Sequence, residues 1–205
     1  DQLTTEELVS LYSAAQIYPE ETWEYLMPHI ERLTSFQDAE SDWKIDRWQK
    51  NWLDKRSSNI ERVVVELLIR SGDKLAQEKP QRLLGITETI QNSQSKVIQS
   101  ILIEVYANLP GGFSDVAIKW LLDDPIRLEL GDRHIEEKWS PARRLIERHS
   151  PYCSQKLFLE LENEIFHYHE PDERRSAKYC LERRKKGYIY HYWVLSFARF
   201  SKRAC

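Results

Sequence analysis

The chain has 205 residues, 41% hydrophobic and 31% charged, with a formal net charge of −3. That suffices for one domain with a sizeable core, or two small lobes, and excludes a disordered chain. No apolar run approaches the ~20 residues that cross a bilayer, and six glycines are too few for a sandwich or barrel full of tight turns.

Taken in order, nearly every segment repeats its apolar residues at spacings of three and four, the mark of amphipathic helices. Thr4 or Thr5 caps a first helix to about Ala15, with Glu7 placed to complete a capping box. Pro19, Glu20 and Glu21 open a second, carrying Trp23, Leu26, Met27, Ile30 and Leu33, and Pro28 inside it predicts a kink or break. A third segment places Ile45, Trp48 and Trp52 on one face. Ile60, Val63, Val64, Leu67 and Leu68 form the next stripe, expected to end before Gly72 or Leu75. A shorter helix follows over Pro80 to Ile90, weakened by Gly85. Val97, Ile98, Ile101, Leu102, Val105, Tyr106 and Leu109 make another stripe, stopped by Pro110-Gly111-Gly112. Ser114 is a cap for the helix that carries Val116, Ala117, Trp120 and Leu121. Residues 125–139 lack helical period and read as the one long connector. Ser140-Pro141 starts a helix to His149, and Ser154 starts another with Leu157, Phe158, Leu161, Ile165 and Tyr168. A basic helix over residues 172–186 and an aromatic-rich one over 188–200 complete the chain.

About nine or ten helices joined by short links predict an all-α fold of antiparallel pairs stacked as an α-solenoid of the HEAT, armadillo or tetratricopeptide kind. The region 1–205 is expected to be a single helical-repeat region, with possible sub-lobes 1–110 and 113–205. The chain starts at Asp1 rather than Met, and RFSKRAC follows a helical pattern, which together point to a piece of a longer protein. Three widely spaced cysteines, Cys153, Cys180 and Cys205, suit reduced thiols and a cytoplasmic location.

Charge is unevenly placed. Residues 1–42 hold ten acids against Arg32, about −9, whereas residues 171–205 hold ten Lys/Arg against Asp172, Glu173 and Glu182, about +7. Such asymmetry steers charged partners, although solvated helix faces produce it too.

Motifs for catalysis are sparse. There is no GxxxxGK[ST], GxGxxG, GxSxG, HExxH or paired CxxC. His167, Tyr168 and His169, near Glu164, Glu170 and Cys180, invite a metal reading, but residues two apart on a helix face different ways. Arg144 and His149 fit the R-x4-H spacing of helical HEPN-type RNases, and Arg127 and His134 fit R-x6-H. Leu145 stands where those RNases place a polar residue. The block RRSAKYCLERRKKGYIYHYW joins basic groups, which contact phosphates, to aromatics, which stack on bases. The same chemistry serves a protein interface. Most tryptophans fall on apolar stripes; Trp43 and Trp139 do not, and suit partner anchors.

Residues 123–132 (DDPIRLELGD), 139–171 (WSPARRLIERHSPYCSQKLFLELENEIFHYHEP) and 187–198 (GYIYHYWVLSFA) carry a resemblance. The pattern is carried by Asp124, Pro125, Arg127 and Leu128, then by Pro141, Ala142, Arg143, Leu145, Ile146, Ser150, Pro151 and Cys153. In these stretches the chain resembles the C-terminal helical regions of large bacterial STAND NTPases, including antiviral ones. The resemblance implies a sensor that docks on a foreign protein, such as a phage protein, and releases an ATPase elsewhere in the parent to oligomerise. The tail RFSKRAC departs from it, ending where that family continues.

The expected function is therefore a non-catalytic recognition module for a protein ligand, without a cofactor, metal or membrane partner. Expected contacts are Trp139, Arg143, Arg174, Arg175, Arg183, Arg184, Tyr188 and Tyr190. Nucleic-acid binding through the C-terminal block is the alternative, and a HEPN-like RNase the third.

Overall fold

In a computed structural model, which describes residues 3–35, 60–130 and 140–167, every regular element is helical. Eight α-helices and two short 3-10 turns are present, with no strand among the described residues.

Helix α1 (Thr5–Ile17) begins with the expected capping box: Thr4 Oγ1 accepts from the Glu7 amide, and the Glu7 carboxylate accepts from the Thr4 amide at 2.7 Å. Helix α2 (Pro19–Ser35) continues through Pro28 without the break that the sequence allows there. Pro28 is exposed, whereas Trp23, Met27, Ile30 and Thr34 form a buried stripe. Burial before and after the proline offsets the missing amide and keeps the helix continuous.

Helix α3 (Ile60–Glu78) also outruns its sequence signal, passing Gly72 and Leu75. Ser71, Gly72, Leu75 and Ala76 are all buried. A Cβ on Gly72 would meet a Val105 methyl at 2.6 Å and the Trp23 ring at 2.9 Å. The poor helix propensity of glycine is outweighed by the close approach of three helices that only glycine permits.

Helix α4 (Pro80–Thr87) is shorter than predicted and unwinds into turns over residues 88–92. Helix α5 (Lys96–Tyr106) has Ser95 as its cap. A 3-10 turn (Gly111–Phe113) leads into α6 (Ser114–Leu122), and here the predicted cap is wrong. Ser114 is the first helical residue and points its hydroxyl at His149, leaving Phe113 at the cap without a side-chain bond. The predicted connector 125–139 is also corrected at its start: Pro125–Glu129 is a 3-10 turn, and Arg127, Leu128 and Leu130 are buried. Helices α7 (Ser140–His149) and α8 (Gln155–His167) follow the sequence reading closely.

Helix α1 packs on α2 and α3, α3 on α2, α4 and α5, α5 on α7, α6 on α7, and α6 on α8. One apolar cluster runs from Trp23 to Ile165 through Leu68, Leu75, Ile101, Ile118, Leu145 and Phe158. A smaller one, of Ala15, Val63 and Leu67, lies under α1. At roughly 1.5–3 kcal/mol for each large apolar side chain removed from water, the first cluster dominates the stabilisation. No described helix is long and apolar enough to cross a membrane. The predicted segment with Ile45, Trp48 and Trp52, and the two C-terminal helices, lie outside the described residues.

Candidate binding face

Helix α5 is apolar over most of its circumference and α3 is amphipathic, so the polar face of each stands out. On α3, Arg62, Glu66, Arg70 and Asp73 recur at spacings of three and four and share one face. On α5 the corresponding strip is Ser100 and Glu104, extended by Asn108 just past its end. Helix α7 contributes Arg144 and Arg148, again four apart.

These groups are linked across the helices. Glu66 accepts from Arg62 at 2.7 Å and from Arg70 at 3.0 Å, and the Arg70 guanidinium lies 4.5 Å from the centroid of the Tyr12 ring on α1. Asn108 Nδ2 donates to Asp73 at 2.6 Å, and Asn108 Oδ1 accepts from Arg148, which also donates to the Ala107 carbonyl at 3.1 Å. Arg144 is paired with Glu104. Polar contacts thus cross α1, α3, α5 and α7 on one side of the core.

Asp73 is the unusual member. Burial raises its carboxyl pKa and Glu104 and Glu66 raise it further, while the Asn108 bond and the more distant charge of Arg148 work against that, leaving it at about 6. Among the described residues its one hydrogen bond is from Asn108, and no cation touches it.

Behind this face lies a second polar cluster, and it is sealed. Arg127 is 2% exposed. Its Nε donates to Gln99 Oε1 at 2.7 Å, Nη2 to the Gln91 carbonyl at 2.7 Å, and Nη1 to the Trp120 carbonyl. The guanidinium also sits 4.4 Å from the centroid of the Trp120 ring. The Gln91 carbonyl takes further donors from Gln99 Nε2 and Trp120 Nε1, both at 3.1 Å. Burial pulls the guanidinium pKa down, and Asp124 and Asp123 oppose that.

His149 is equally enclosed, at 1% exposed. Its Nε2 lies 2.9 Å from the Tyr106 carbonyl and must carry the proton, so Nδ1 accepts from the Ser114 hydroxyl at 3.0 Å. Burial lowers its pKa, opposed by the Tyr106 bond. An acid or base has to reach its substrate. Here both ring nitrogens are occupied inside the core and Arg144 is held by Glu104, so the R-x4-H pair forms no open site. Arg127 of the R-x6-H pair is buried, and His134 lies outside the described residues. No group of three His, Cys, Asp or Glu side chains suited to a metal occurs among the described residues.

Of the predicted contacts, only Arg143 is described. It is half-buried on α7, beside Arg144, and ion-paired with Glu147 at 2.8 Å. Trp139, Arg174, Arg175, Arg183, Arg184, Tyr188 and Tyr190 lie outside the described residues, as does Trp43. Sequence reading overlooked Asp73, Glu104, Asn108 and Arg148. Their signal was available as a charged strip along helices otherwise read for their apolar stripes. In comparisons with known proteins, no family model, no curated protein and no solved structure matches the chain.

Proposed function

We propose that the chain is a non-catalytic helical-repeat module that binds a protein ligand through the polar face of α3, α5 and α7. The observation that carries this reading is the run of partly exposed, mutually bonded charges across successive helices. Such a surface offers a partner many oriented donors and acceptors while the core behind it stays fixed.

In this reading the helices stack as an α-solenoid in which α1/α2 and α3/α4 are packed pairs and α6 packs on α7. Serial packing of α1 on α3, α3 on α5 and α5 on α7 supports that arrangement, as does α6 on α8. Glu20 on α2, bonded to Lys79 at 2.7 Å and to Arg82 at 2.8 Å, ties the second helices of neighbouring pairs together.

The resemblance to STAND NTPase sensors extends the proposal to the parent protein: a sensor for a foreign, phage-derived protein in bacterial defence. Docking would favour one arrangement of the parent over another. The motif positions Arg127, Leu128, Ala142, Leu145, Ile146, Ser150 and Cys153 are all buried, so their resemblance speaks for a shared scaffold rather than a shared ligand.

The test is to capture proteins from phage-infected bacteria on the purified chain, then titrate the purified candidate by calorimetry. Ser100→Tyr should block the face and weaken binding at least tenfold. Lys156→Tyr, on the solvent side of α8 at 85% side-chain exposure, should leave binding unchanged. Equal affinity for both variants, or no saturable binding, overturns the assignment.

A further inference from the structure

Helices α3, α5 and α7 meet at a carboxyl group held against others of its own kind. Asp73 projects from α3 toward Asn108, which couples it to Arg148 of α7. Glu104, one turn before Asn108, acts on it from α5, and Glu66, two turns back, acts on it from α3. The basic groups nearby are committed elsewhere: Arg62 and Arg70 to Glu66, Arg144 to Glu104, and Arg148 to Asn108 and the Ala107 carbonyl. Lys74, the next residue along α3, bonds Glu78 at 3.0 Å. Helices α1, α2 and α4 also pack on α3, but place no charged group among those acting on Asp73 in the described residues.

We propose that this junction is a charge-sensitive joint: α5 and α7 close tightly on α3 while the Asp73 carboxyl is protonated, and loosen when it ionises. Ionisation adds a third negative charge beside Glu66 and Glu104 in a half-buried place. In return it gains a stronger bond from the Asn108 amide and the attraction of Arg148 beyond it, which together do not offset burial and the two glutamates. The titration at about 6 places the change within reach of ordinary shifts of cellular pH. The joint depends on the fold alone and is independent of what the face binds.

Amide hydrogen exchange on the full chain tests it, with wild type and Asp73→Asn compared at pH 5 and at pH 7.5. The asparagine keeps the shape and removes the charge. At pH 7.5, peptides from α5 and from residues 140–149 should exchange about tenfold more slowly in the variant, the ratio that one pKa unit of differential interaction gives. At pH 5 the two proteins should match. Glu104→Gln should move the same peptides in the same direction by less, so the test survives poor folding of either variant. No difference, the same difference at both pH values, or a change spread evenly over all helices overturns the joint.

Discussion

Helix α5 carries two polar clusters on opposite faces, and they are built by opposite rules. Gln99 and Tyr106, seven residues apart, face inward to the Arg127 and His149 networks, where the donor nitrogens of Arg127, Gln99 and His149 each have an acceptor. Glu104 and Asn108 lie half a turn away and meet Asp73, which has one bond and no cation. In the dry cluster, satisfaction is compulsory, because an unpaired buried polar group is expensive. In the half-buried cluster solvent access lowers that cost, and a carboxyl with a single bond survives. The chain thus keeps its rigid polar contacts where no partner can reach and its adjustable ones at the surface.

The sharpest way to break the contrast is Arg127→Ala. It leaves Gln99 Oε1 and the Trp120 carbonyl without their donors and removes the cation from the Trp120 ring. Urea unfolding should show a loss of about 2–5 kcal/mol, from two buried acceptors left without donors at about 1–3 kcal/mol each. His149→Ala strands the Ser114 hydroxyl and takes one of two donors from the Tyr106 carbonyl, which keeps the Leu109 amide, and should lose about 1–3 kcal/mol in the same measurement.

The two clusters also titrate in opposite senses. His149 has a depressed folded pKa, so its contribution is present above its unfolded value near 6.5 and is lost as pH falls. Asp73 has a raised folded pKa of about 6, so its contribution is present below 3.8 and is lost as pH rises through 6. Thermal unfolding of wild type between pH 4 and 7 should therefore show a shallow dependence. His149→Ala should turn it into a fall of stability with rising pH, and Asp73→Asn into a rise. Parallel profiles for the two variants would remove the contrast. The smallest effect should come from Glu66→Gln. Two helical ion pairs are lost while a repulsion on Asp73 is relieved, and stability should stay within about 0.5 kcal/mol.

Helical period makes most of the described fold legible in the sequence. The capping box at Thr4 and Glu7, the start of α7 and the apolar stripes of α2, α3 and α5 were all legible, because each is a local pattern of residue type. What local pattern hides is long-range contact. Gly72 reads as a helix stop until Val105 and Trp23 arrive from other helices to require it. Ser114 reads as a cap until His149, thirty-five residues later, claims its hydroxyl. Arg127 reads as a connector charge because nothing nearby in sequence shows the cup that receives it. The candidate face was harder still: Asp73, Asn108 and Arg148 are ordinary surface types, and only their juxtaposition sets them apart.

Three donors from three parts of the chain converge on the carbonyl oxygen of Gln91. That oxygen belongs to the main chain, so every amino acid supplies it. Selection acting on this knot therefore falls on residues 99, 120 and 127 and leaves the side chain at 91 free to drift. Proline is the exception, since the Gln91 amide donates to the Thr87 carbonyl at 2.9 Å. Saturation mutagenesis should find position 91 permissive while the three residues that depend on it are not.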